Sequence, residues 1–476
     1  MERLAQNKTK IVCTIGPASE SQQVMEQMLL AGMNVARLNF SHGDFESHKR
    51  VIDTLRSASR ATGRRVAIMA DLSGPKMRIG KLKEEPVQLM AGDVFTLTTK
   101  EILGDGTRAS VSFSRLPKAV KPGDALYLND GFIQLEVAQV EGDDVRCKVV
   151  VGGALRSRKG LNLPDIDLGI TAFTDRDREC LRFAMEQGVD AVSQSFVESG
   201  KDIHVVRHAA KELGYSPFII AKIERSRALD RFQEILDSAD GIMIARGDLG
   251  VEVPIEKIAF IQKDLMRKAN MRAKPVITAT QMLESMTSNP RPTRAEATDV
   301  ANAILDGADA VMLSGESAMG HYPVDSVAML AKIAAAIEPH RHRLTAEEMF
   351  KGVDLRGRLR TAHLIAISVE ASLMYESPAA VFVPTRSGAT ARQLARFRPF
   401  VWIVAVSSQE STCQALQFSY GVHPVHEREH PEDWKSYARK WVEDHGLEGR
   451  LVILTEGPST KHPDANHRME LIELKR

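Results

Sequence analysis

The chain has 476 residues and a net charge of +1, with 63 Lys and Arg against 62 Asp and Glu. This balance excludes a polybasic nucleic-acid binder and an acidic solvating tail. At roughly 150 residues per domain the length predicts about three domains, and the ordinary shares of hydrophobic and charged residues indicate a folded globular protein.

Short apolar segments alternate with amphipathic ones through the first two thirds of the chain. Each is rich in Val, Ile, Met or Ala and has the length of a buried strand. They are KIVCTIG (10–16), NVARLNF (34–40), VAIMADL (66–72), DAVSQSF (190–196), FIIAKIE (218–224), GIMIARG (241–247), PVITATQ (275–281) and DAVMLSG (309–315). Helical patterns lie between them, and several end at a glycine.

This alternation of eight strands with helices predicts an α/β fold, a (β/α)8 barrel. A doubly wound sheet is the competing architecture. It is weaker because no G-x-G-x-x-G follows the first strand.

The stretch after the third strand departs from the alternation. It contains short strands and turns, such as VFTLTT, ALYLNDG and FIQLEVAQVEGDDVRCKVVVGG. An all-β insertion after a barrel strand lies at the face where active-site loops belong, so we expect a lid. A separate α/β unit follows. The expected domains are a barrel of residues 1–72 and 168–340, a β lid of 73–167 and a C-terminal α/β domain of 341–476.

The four cysteines lie far apart without a C-x-x-C pair, so reduced, buried thiols are expected. The N-terminal charges are not followed by the apolar region of a secretory signal. No run of roughly 18 apolar residues occurs. A cytoplasmic location without membrane or nucleic-acid partners is therefore expected.

Polar side chains recur at the carboxyl ends of the predicted strands, where barrel enzymes place their reactive groups. The sets that share a strand face by i, i+2 spacing are Arg37 with Asn39 and Ser41, Lys222 with Glu224, Arg246 with Asp248, Thr278 with Thr280, and Ser314 with Glu316; Asp71 ends the third strand. One such set is most simply a structural ion pair. Their repetition at one end of the barrel predicts an active site.

The chemistry of these residues favours a metal and a phosphorylated acid. Glu224 and Asp248, with a lysine and an arginine nearby, suit a hard divalent cation that bridges an anionic phosphoryl substrate. Lys222 is interpreted as a point charge for developing negative charge, with a Schiff-base lysine as the alternative.

Longer motifs resemble those of the pyruvate kinase family along nearly the whole chain. They are CTIGPAS (13–19), RLNFSHG (37–43), SGPKMR (73–78), KGLNLP (159–164), KIE (222–224), GIMIARGDLGVE (241–252), TATQMLESM (278–286), PRPTRAEATDVANAILDGAD (290–309) and MLSGES (312–317). The resemblance implies transfer of the phosphoryl group of phosphoenolpyruvate to ADP, giving pyruvate and ATP in the last step of glycolysis. It also implies a homotetramer.

The resemblance assigns roles to residues at matching positions. Glu224 and Asp248 match the ligands of Mg2+ (or Mn2+). Lys222 matches the lysine that stabilises the phosphoryl group in flight, and Arg37 the arginine that contacts the transferred phosphate.

The remaining matches concern the substrate carboxylate, the proton and the nucleotide. Gly247, the Asp248 amide and Thr280 match groups that receive the carboxylate, and Thr280 and Ser314 lie where the family delivers a proton through water. The positions matching nucleotide contacts are Pro17, Asn39, His42, Arg78 and Lys159. The β insertion would then close over the nucleotide.

One departure concerns the monovalent cation. The family's K+ site is matched by Asn39, Ser41, Asp71 and the carbonyl of Leu72. From the aspartate onward, potassium-dependent members have the sequence DTKGPE, whereas this chain has DLSGPK (71–76). We therefore expect the Lys76 ammonium to replace K+, as in the potassium-independent subgroup. An exposed lysine is the alternative.

The C-terminal unit contains a candidate effector site. A predicted strand leads into Thr385, Arg386, Ser387, Gly388 and Thr390 at a helix start, which is suited to binding phosphate. The resemblance places the family's effector phosphate here, against a plain helix cap as the alternative. The later loop GPSTKHPDANHRM (457–469) lacks tryptophan, so a sugar monophosphate or AMP is expected rather than fructose 1,6-bisphosphate.

Two other functions fit part of this pattern. A lyase acting through a Mg2+-bound pyruvate enolate would share the carboxylate pair, but it has no need of Arg78 and Lys159 in a nucleotide lid. A non-catalytic sensor would share the effector domain, but it would not need Lys222, Glu224 and Asp248 together.

Overall fold

The core of the fold is a closed barrel of parallel strands. The computed structural model describes residues 4–342, 345–351, 360–457 and 466–474. The barrel strands are Lys10–Thr14, Val35–Asn39, Ala67–Leu72, Ala191–Gln194, Phe218–Ile223, Gly241–Ala245, Val276–Ala279 and Ala310–Leu313. The first strand pairs with the last, with Lys10 opposite Ala310, and so closes the ring. The predicted (β/α)8 barrel is confirmed.

Amphipathic helices surround the strands. The longer ones are Gln22–Ala31, Phe45–Thr62, Asp175–Glu186, Gly200–Glu212, Ile258–Met271, Arg294–Asp306 and Pro323–Ile337, with Phe232–Ser238 shorter. Local sequence sets their ends: Phe45–Thr62 begins after Asp44, whose carboxylate accepts a hydrogen bond from the Ser47 amide at 2.8 Å. It ends at Gly63 in the left-handed region, with φ +67°.

Side chains inside the barrel change from apolar to polar along four of the strands. Val35, Met69, Ala191 and Ile220 belong to the buried interior cluster. Two residues further along these strands stand Arg37, Asp71, Ser193 and Lys222. The opposite end of the interior is closed by Phe418 from the C-terminal domain, which is fully buried and stacks on Phe218 with ring centroids 5.3 Å apart.

The insertion after the third barrel strand is built almost entirely of β structure. Its strands are Val87–Leu89, Val94–Thr98, Arg108–Ser110, Ala125–Leu128, Ile133–Glu141, Asp144–Val151, Gly153–Leu155 and Leu161–Asn162, with one helical turn at Leu116–Ala119. They form a six-stranded and a two-stranded sheet around a separate apolar core. The predicted β lid is confirmed as an architecture.

The C-terminal α/β domain is built on a five-stranded sheet. Its strands in spatial order are Val422–His426, Trp402–Ser407, Ala380–Pro384, Leu451–Glu456 and Arg468–Glu473, the last antiparallel to its neighbour. Its helices include Thr361–Ser372, Ala389–Ala395, Glu410–Ala415 and Trp434–Asp444. Arg398 fastens the domain to the barrel, since its Nη1 and Nη2 donate to the two carboxylate oxygens of Asp309 at 2.6 and 2.7 Å.

All four cysteines are buried and unpaired, as expected. Within the described residues, no helix combines the length and apolar character needed to cross a bilayer.

Candidate active site

Asp71 is the buried anion at the carboxyl end of the third barrel strand. Its Oδ2 accepts hydrogen bonds from Nε of Arg37 at 2.9 Å and also from Nη2. Its Oδ1 accepts one from Oγ of Ser193 at 2.7 Å and lies 3.4 Å from Nζ of Lys222. Burial alone would raise the pKa of Asp71, but Arg37 and Lys222 outweigh burial and hold the pKa well below its usual range. The side chain is therefore a carboxylate between two cations.

Lys222 is held as an ammonium. Its Nζ lies 2.7 Å from Oε1 of Glu224 and donates to Oγ of Ser195, also at 2.7 Å. Burial acts to lower the pKa of Lys222, but Asp71 and Glu224 outweigh it and raise the pKa. A Schiff-base lysine must lose its proton to attack a carbonyl, so this environment favours the point-charge interpretation.

Glu224 and Asp248 form the carboxylate pair that the sequence predicts. Oε2 of Glu224 accepts a hydrogen bond from the Phe196 amide at 2.9 Å. The Asp248 carboxylate is open to the cleft, and no hydrogen-bond donor among the described residues reaches it. Loss of hydration among the surrounding protein atoms and then the negative charge of Glu224 raise the pKa of Asp248 to about 6.

This donor set fits a hard divalent ion. Mg2+ is usually held by one or two carboxylates, and substrate oxygens and water complete its coordination. Among the residues that the structure describes, no group of three or more His, Cys, Asp or Glu side chains could hold a metal. The unpartnered oxygens of Asp248, in the electrostatic field of Glu224, are of the ligand type that Mg2+ takes.

Thr280 and Gly247 meet on the side of the site formed by the sixth and seventh strands. The Gly247 amide donates to Oγ1 of Thr280 at 2.7 Å, and this hydroxyl donates to the Ala279 carbonyl at 2.6 Å. Thr280 has φ +70°, a left-handed conformation that is an outlier for a β-branched residue. Such strain is characteristic of functional sites. A Cβ atom at position 247 would lie 3.4 Å from Oγ1 of Thr280, so the Gly247 backbone packs against the Thr280 side chain.

The sequence interpretation of Arg246 and Asp248 as sharing a strand face is wrong. The sixth strand ends at Ala245, and both residues lie in the helix Arg246–Glu252, where i and i+2 point in different directions. Arg246 donates to the Thr280 carbonyl at 2.9 Å and to Asp299 at 2.6 Å. Arg246 therefore stabilises the turn at Thr280.

Ser314 and Glu316 are also beyond the end of their strand. The helix Gly315–Ala318 begins directly after Ser314. Glu316 is fully buried, and its carboxylate accepts the amides of Ser314 at 2.7 Å and Leu283 at 3.0 Å. Glu316 therefore fixes the two turns that carry Ser314 and Thr280.

The base of the lid carries two of the residues matched to nucleotide contacts, Arg78 and Lys159. Arg78 lies opposite Gly160 in an antiparallel bridge, and the Ile79 amide donates to the Lys159 carbonyl at 3.0 Å, so Arg78 and Lys159 stand on adjacent chain segments. Burial and then the positive charges of Lys76 and Arg78 lower the pKa of His42, so the three residues interact electrostatically.

Pro17 and Asn39 lie in the neighbouring loops of the barrel. Pro17 follows Gly16, whose hypothetical Cβ would meet the Ala318 carbonyl at 2.7 Å, so the first loop is pressed against the eighth. The side chain of Asn39 accepts a hydrogen bond from the Ser41 amide at 3.1 Å.

Lys76 has an exposed side chain that interacts electrostatically with the acidic groups of the site. Loss of hydration and then the positive charge of Lys222 lower the pKa of Lys76. The negative charges of Asp71, Glu224 and Asp248 act in the opposite direction. Within the described part of the chain, no carboxylate pairs directly with its ammonium. Nearby, the hydroxyls of Ser41 and Ser73 are 2.8 Å apart.

Three hydroxyls of the site were missed in the sequence. Thr14 accepts from Nη1 of Arg37 at 2.9 Å, and Ser193 and Ser195 bind Asp71 and Lys222. The available signal was the i, i+2 spacing of the two serines at the end of the fourth strand. That strand was predicted, but its polar residues were not counted among those at the barrel mouth.

The candidate effector turn lies between the strand Ala380–Pro384 and the seven-residue helix Ala389–Ala395. Gly388 has φ +75°, and its amide donates to Oγ1 of Thr385 at 2.9 Å. The Arg386 side chain is exposed, while its carbonyl accepts from the Thr412 hydroxyl at 2.6 Å. Most of the loop 457–469, on which the choice of effector rests, is outside the described residues.

Comparisons of sequence and of structure with known proteins point to one family along nearly the whole chain. Residues 6–327 match the family described as pyruvate kinase, barrel domain, and residues 364–469 match pyruvate kinase, alpha/beta domain. A pyruvate kinase of Thermococcus litoralis is 51% identical over 422 residues, covering 88% of this chain and 89% of that protein. One of Staphylococcus aureus is 40% identical over 473 residues, covering 98% and 80%. The crystal structure of a pyruvate kinase from Cryptosporidium parvum superposes with a TM-score of 0.92 at 35% identity, covering 99% of this chain and 97% of that one.

Proposed function

The chain belongs to the pyruvate kinase family and is a phosphotransferase, and we propose that it passes the phosphoryl group of phosphoenolpyruvate to ADP at the site around Lys222. The observation that carries the proposal is the buried ammonium of Lys222, held between Asp71 and Glu224 and kept charged by both. A fixed positive charge that needs no reorganisation is what phosphoryl transfer requires.

The charges at the barrel mouth are arranged for an anionic group in transit. A phosphoryl group carries its negative charge on its outer oxygens during transfer. Lys222 and Arg37 supply positive charge, and their pairing with Asp71 fixes both side chains in place. Family members use a divalent metal, and Mg2+ or Mn2+ held by Glu224 and Asp248 would neutralise further phosphate charge.

The other substrate contacts are assigned from the turns around Thr280. We assign the amides of Gly247 and Asp248, with the Thr280 hydroxyl, to the substrate carboxylate. Thr280 and Ser314 are assigned to delivery of a proton, through water, to the enolate carbon. Glu316 and Arg246 support these assignments, since they brace the two turns.

The lid is assigned to the nucleotide. Arg78 and Lys159 are on adjacent chain segments at the base of the lid, and His42 interacts electrostatically with Arg78, so two cationic side chains are available to a nucleotide there. Pro17 and Asn39 complete the proposed contacts. Closure of the lid over ADP would exclude water from the transfer and so suppress hydrolysis.

Lys76 is assigned to the task that K+ performs in potassium-dependent members. Its ammonium lies in the field of Asp71, Glu224 and Asp248 without a direct partner among the described residues. A lysine there carries the single positive charge of a potassium ion on a covalent tether.

The test is pyruvate release from phosphoenolpyruvate and ADP with Mg2+ in tetramethylammonium buffer, with and without KCl. Similar rates in both are expected. Activity only with KCl would keep the kinase and contradict the role of Lys76. No pyruvate in either buffer would contradict the kinase and favour the lyase or the sensor.

We further propose activation by a sugar monophosphate or AMP at Thr385, Arg386, Ser387, Gly388 and Thr390. The support is an exposed arginine beside a left-handed Gly388 between a strand and a helix. Arg386→Ala should abolish activation and leave the unactivated rate unchanged. An unchanged activation curve would contradict the site.

Assembly into a homotetramer is proposed through the barrel and the C-terminal domain. Large apolar side chains are exposed on both, among them Phe260 at 74% and Tyr375 at 90%. Light scattering on the purified protein distinguishes a tetramer from a monomer.

A further inference from the structure

Arg225 is a buried arginine that directly follows the proposed metal ligand Glu224. It is 2% exposed, the largest of the fully buried side chains in the described chain. A buried guanidinium is costly unless it is paired and hydrogen-bonded. Its partners therefore show what this arginine holds together.

Besides Glu198, whose Oε1 lies 3.3 Å from Nε of Arg225, those partners come from two different parts of the molecule. Nη1 of Arg225 donates to Oε1 of Glu252 at 3.2 Å. Nη2 donates to the carbonyls of Leu163 at 3.3 Å and Ile166 at 3.0 Å. Glu252 is the last residue of the helix Arg246–Glu252, which carries Asp248. Leu163 and Ile166 belong to the segment by which the lid returns to the barrel.

A second contact joins the same two parts. In the lid loop before the strand Ile133–Glu141, a Cβ on Gly131 would lie 3.2 Å from Cγ2 of Val251. The lid therefore meets the Asp248 helix at Val251 and, through Arg225, at Glu252.

We propose that Arg225 is a positioning residue that makes the return segment of the lid and the Asp248 helix move as one body. The position of the lid over the nucleotide and the distance of Asp248 from Glu224 are then set together. The planar fork of an arginine serves both parts at once, which the single nitrogen of a lysine cannot reproduce. This inference rests on the proposed function of the site.

Arg227 provides a matched control two residues further on. Its Nη1 pairs with Oδ2 of Asp167 in the lid segment at 3.0 Å, and its Nε lies 3.5 Å from Oε2 of Glu198. No contact in the described chain joins Arg227 to the Asp248 helix. Both arginines pair with the lid segment and with Glu198 of the barrel, so the two variants share those contacts. Only Arg225→Lys also perturbs the link to the Asp248 helix.

The test compares binding of Mn2+, followed by the electron paramagnetic resonance of the free ion, with the KM for ADP. In Arg225→Lys we expect Mn2+ affinity to fall about tenfold, a loss typical of groups that orient metal ligands, and the KM for ADP to rise with it. Arg227→Lys should bind Mn2+ as the parent does. Parental Mn2+ affinity in a folded Arg225→Lys protein would overturn the proposal.

A second variant covers failure of Arg225→Lys to fold. Glu252→Gln keeps the hydrogen-bond acceptor for Nη1 and removes the charge, and it should also weaken Mn2+ binding. Unchanged Mn2+ binding in this variant would equally overturn the proposal. Because Mn2+ binding is measured without turnover, its outcome is separate from failure of the parent protein to form pyruvate, which would contradict the proposed function.

Discussion

Arg37 directs both Nε and Nη2 at one oxygen of Asp71, Oδ2, and its remaining Nη1 at the hydroxyl of Thr14. The other carboxylate oxygen faces Lys222. One buried anion thus orients the two cations to which phosphoryl transfer is assigned. Its charge serves both the stability of the barrel mouth and the chemistry proposed there.

Replacing Asp71 with asparagine should therefore damage both. The substitution leaves the buried charges of Arg37 and Lys222 without the carboxylate that neutralises them. Removing one partner of a buried ion pair lowers the free energy of unfolding by about 3–5 kcal/mol. We expect a lower urea midpoint and a large fall in kcat. Asp53→Asn, which breaks an exposed pair with Lys49, is the control and should leave both quantities unchanged. Equal effects in the two variants would refute this account.

Lys76→Glu should make the enzyme depend on potassium. The variant removes the fixed positive charge and adds an acid beside Asp71 and Glu224. We expect the rate in tetramethylammonium buffer to fall by about tenfold or more, equivalent to about 1.4 kcal/mol in the barrier, and KCl to restore part of it. Lys81→Glu, at an exposed lid position, should have neither effect. A variant insensitive to KCl would show that Lys76 does not replace the ion.

Thr280 allows a test that separates its hydroxyl from its shape. Thr280→Ser keeps the oxygen that accepts from Gly247, whereas Thr280→Val keeps the branched shape without it. If the hydroxyl takes part in proton delivery, kcat should fall about a hundredfold or more in the valine variant, the scale of general acid–base catalysis. The serine variant should stay within severalfold of the parent. Similar kcat values in both would contradict the assignment.

His423 predicts an acid-sensitive C-terminal domain. Burial and then Lys10 lower the pKa of His423 to about 3, from 6.5. The unfolded chain takes up a proton below pH 6.5 while the folded chain does not, so this stability is complete above pH 6.5 and is lost as pH falls. The loss is about 1.4 kcal/mol per pH unit. His423→Phe should retain the contacts with Trp402 and Trp441 and abolish that part of the pH dependence. Parallel urea midpoints for parent and variant from pH 7.5 to 5.5 would contradict it.

The barrel was predictable because its strands are short apolar runs at regular intervals, and the inward face follows from period two. Lys222 and Glu224 meet the same cleft for that reason. The ends of strands were less predictable. The segments 241–247 and 309–315 extend beyond their strands, which end at Ala245 and Leu313, into the helices that begin at Arg246 and Gly315. Arg246 was misplaced on this account.

The C-terminal domain was predicted less completely. The strand Val422–His426 contains a proline and two histidines, and these residues hide its alternation. Long-range partners were also out of reach of the sequence. Nothing local in the chain indicates that Ser193 would meet Asp71, or that Arg225 would bind the carbonyls of Leu163 and Ile166.

Phe418 has a consequence for the order in which the protein is made. All eight barrel strands have been synthesised once Leu313 leaves the ribosome. The aromatic side chain of Phe418, which fills the base of the barrel, is synthesised about a hundred residues later. Until then Phe218 and its apolar neighbours lack their cover. A nascent chain generally folds from its N-terminus, domain by domain. We therefore expect a chain truncated before Phe418 to have a barrel with an open, apolar base that is prone to aggregate.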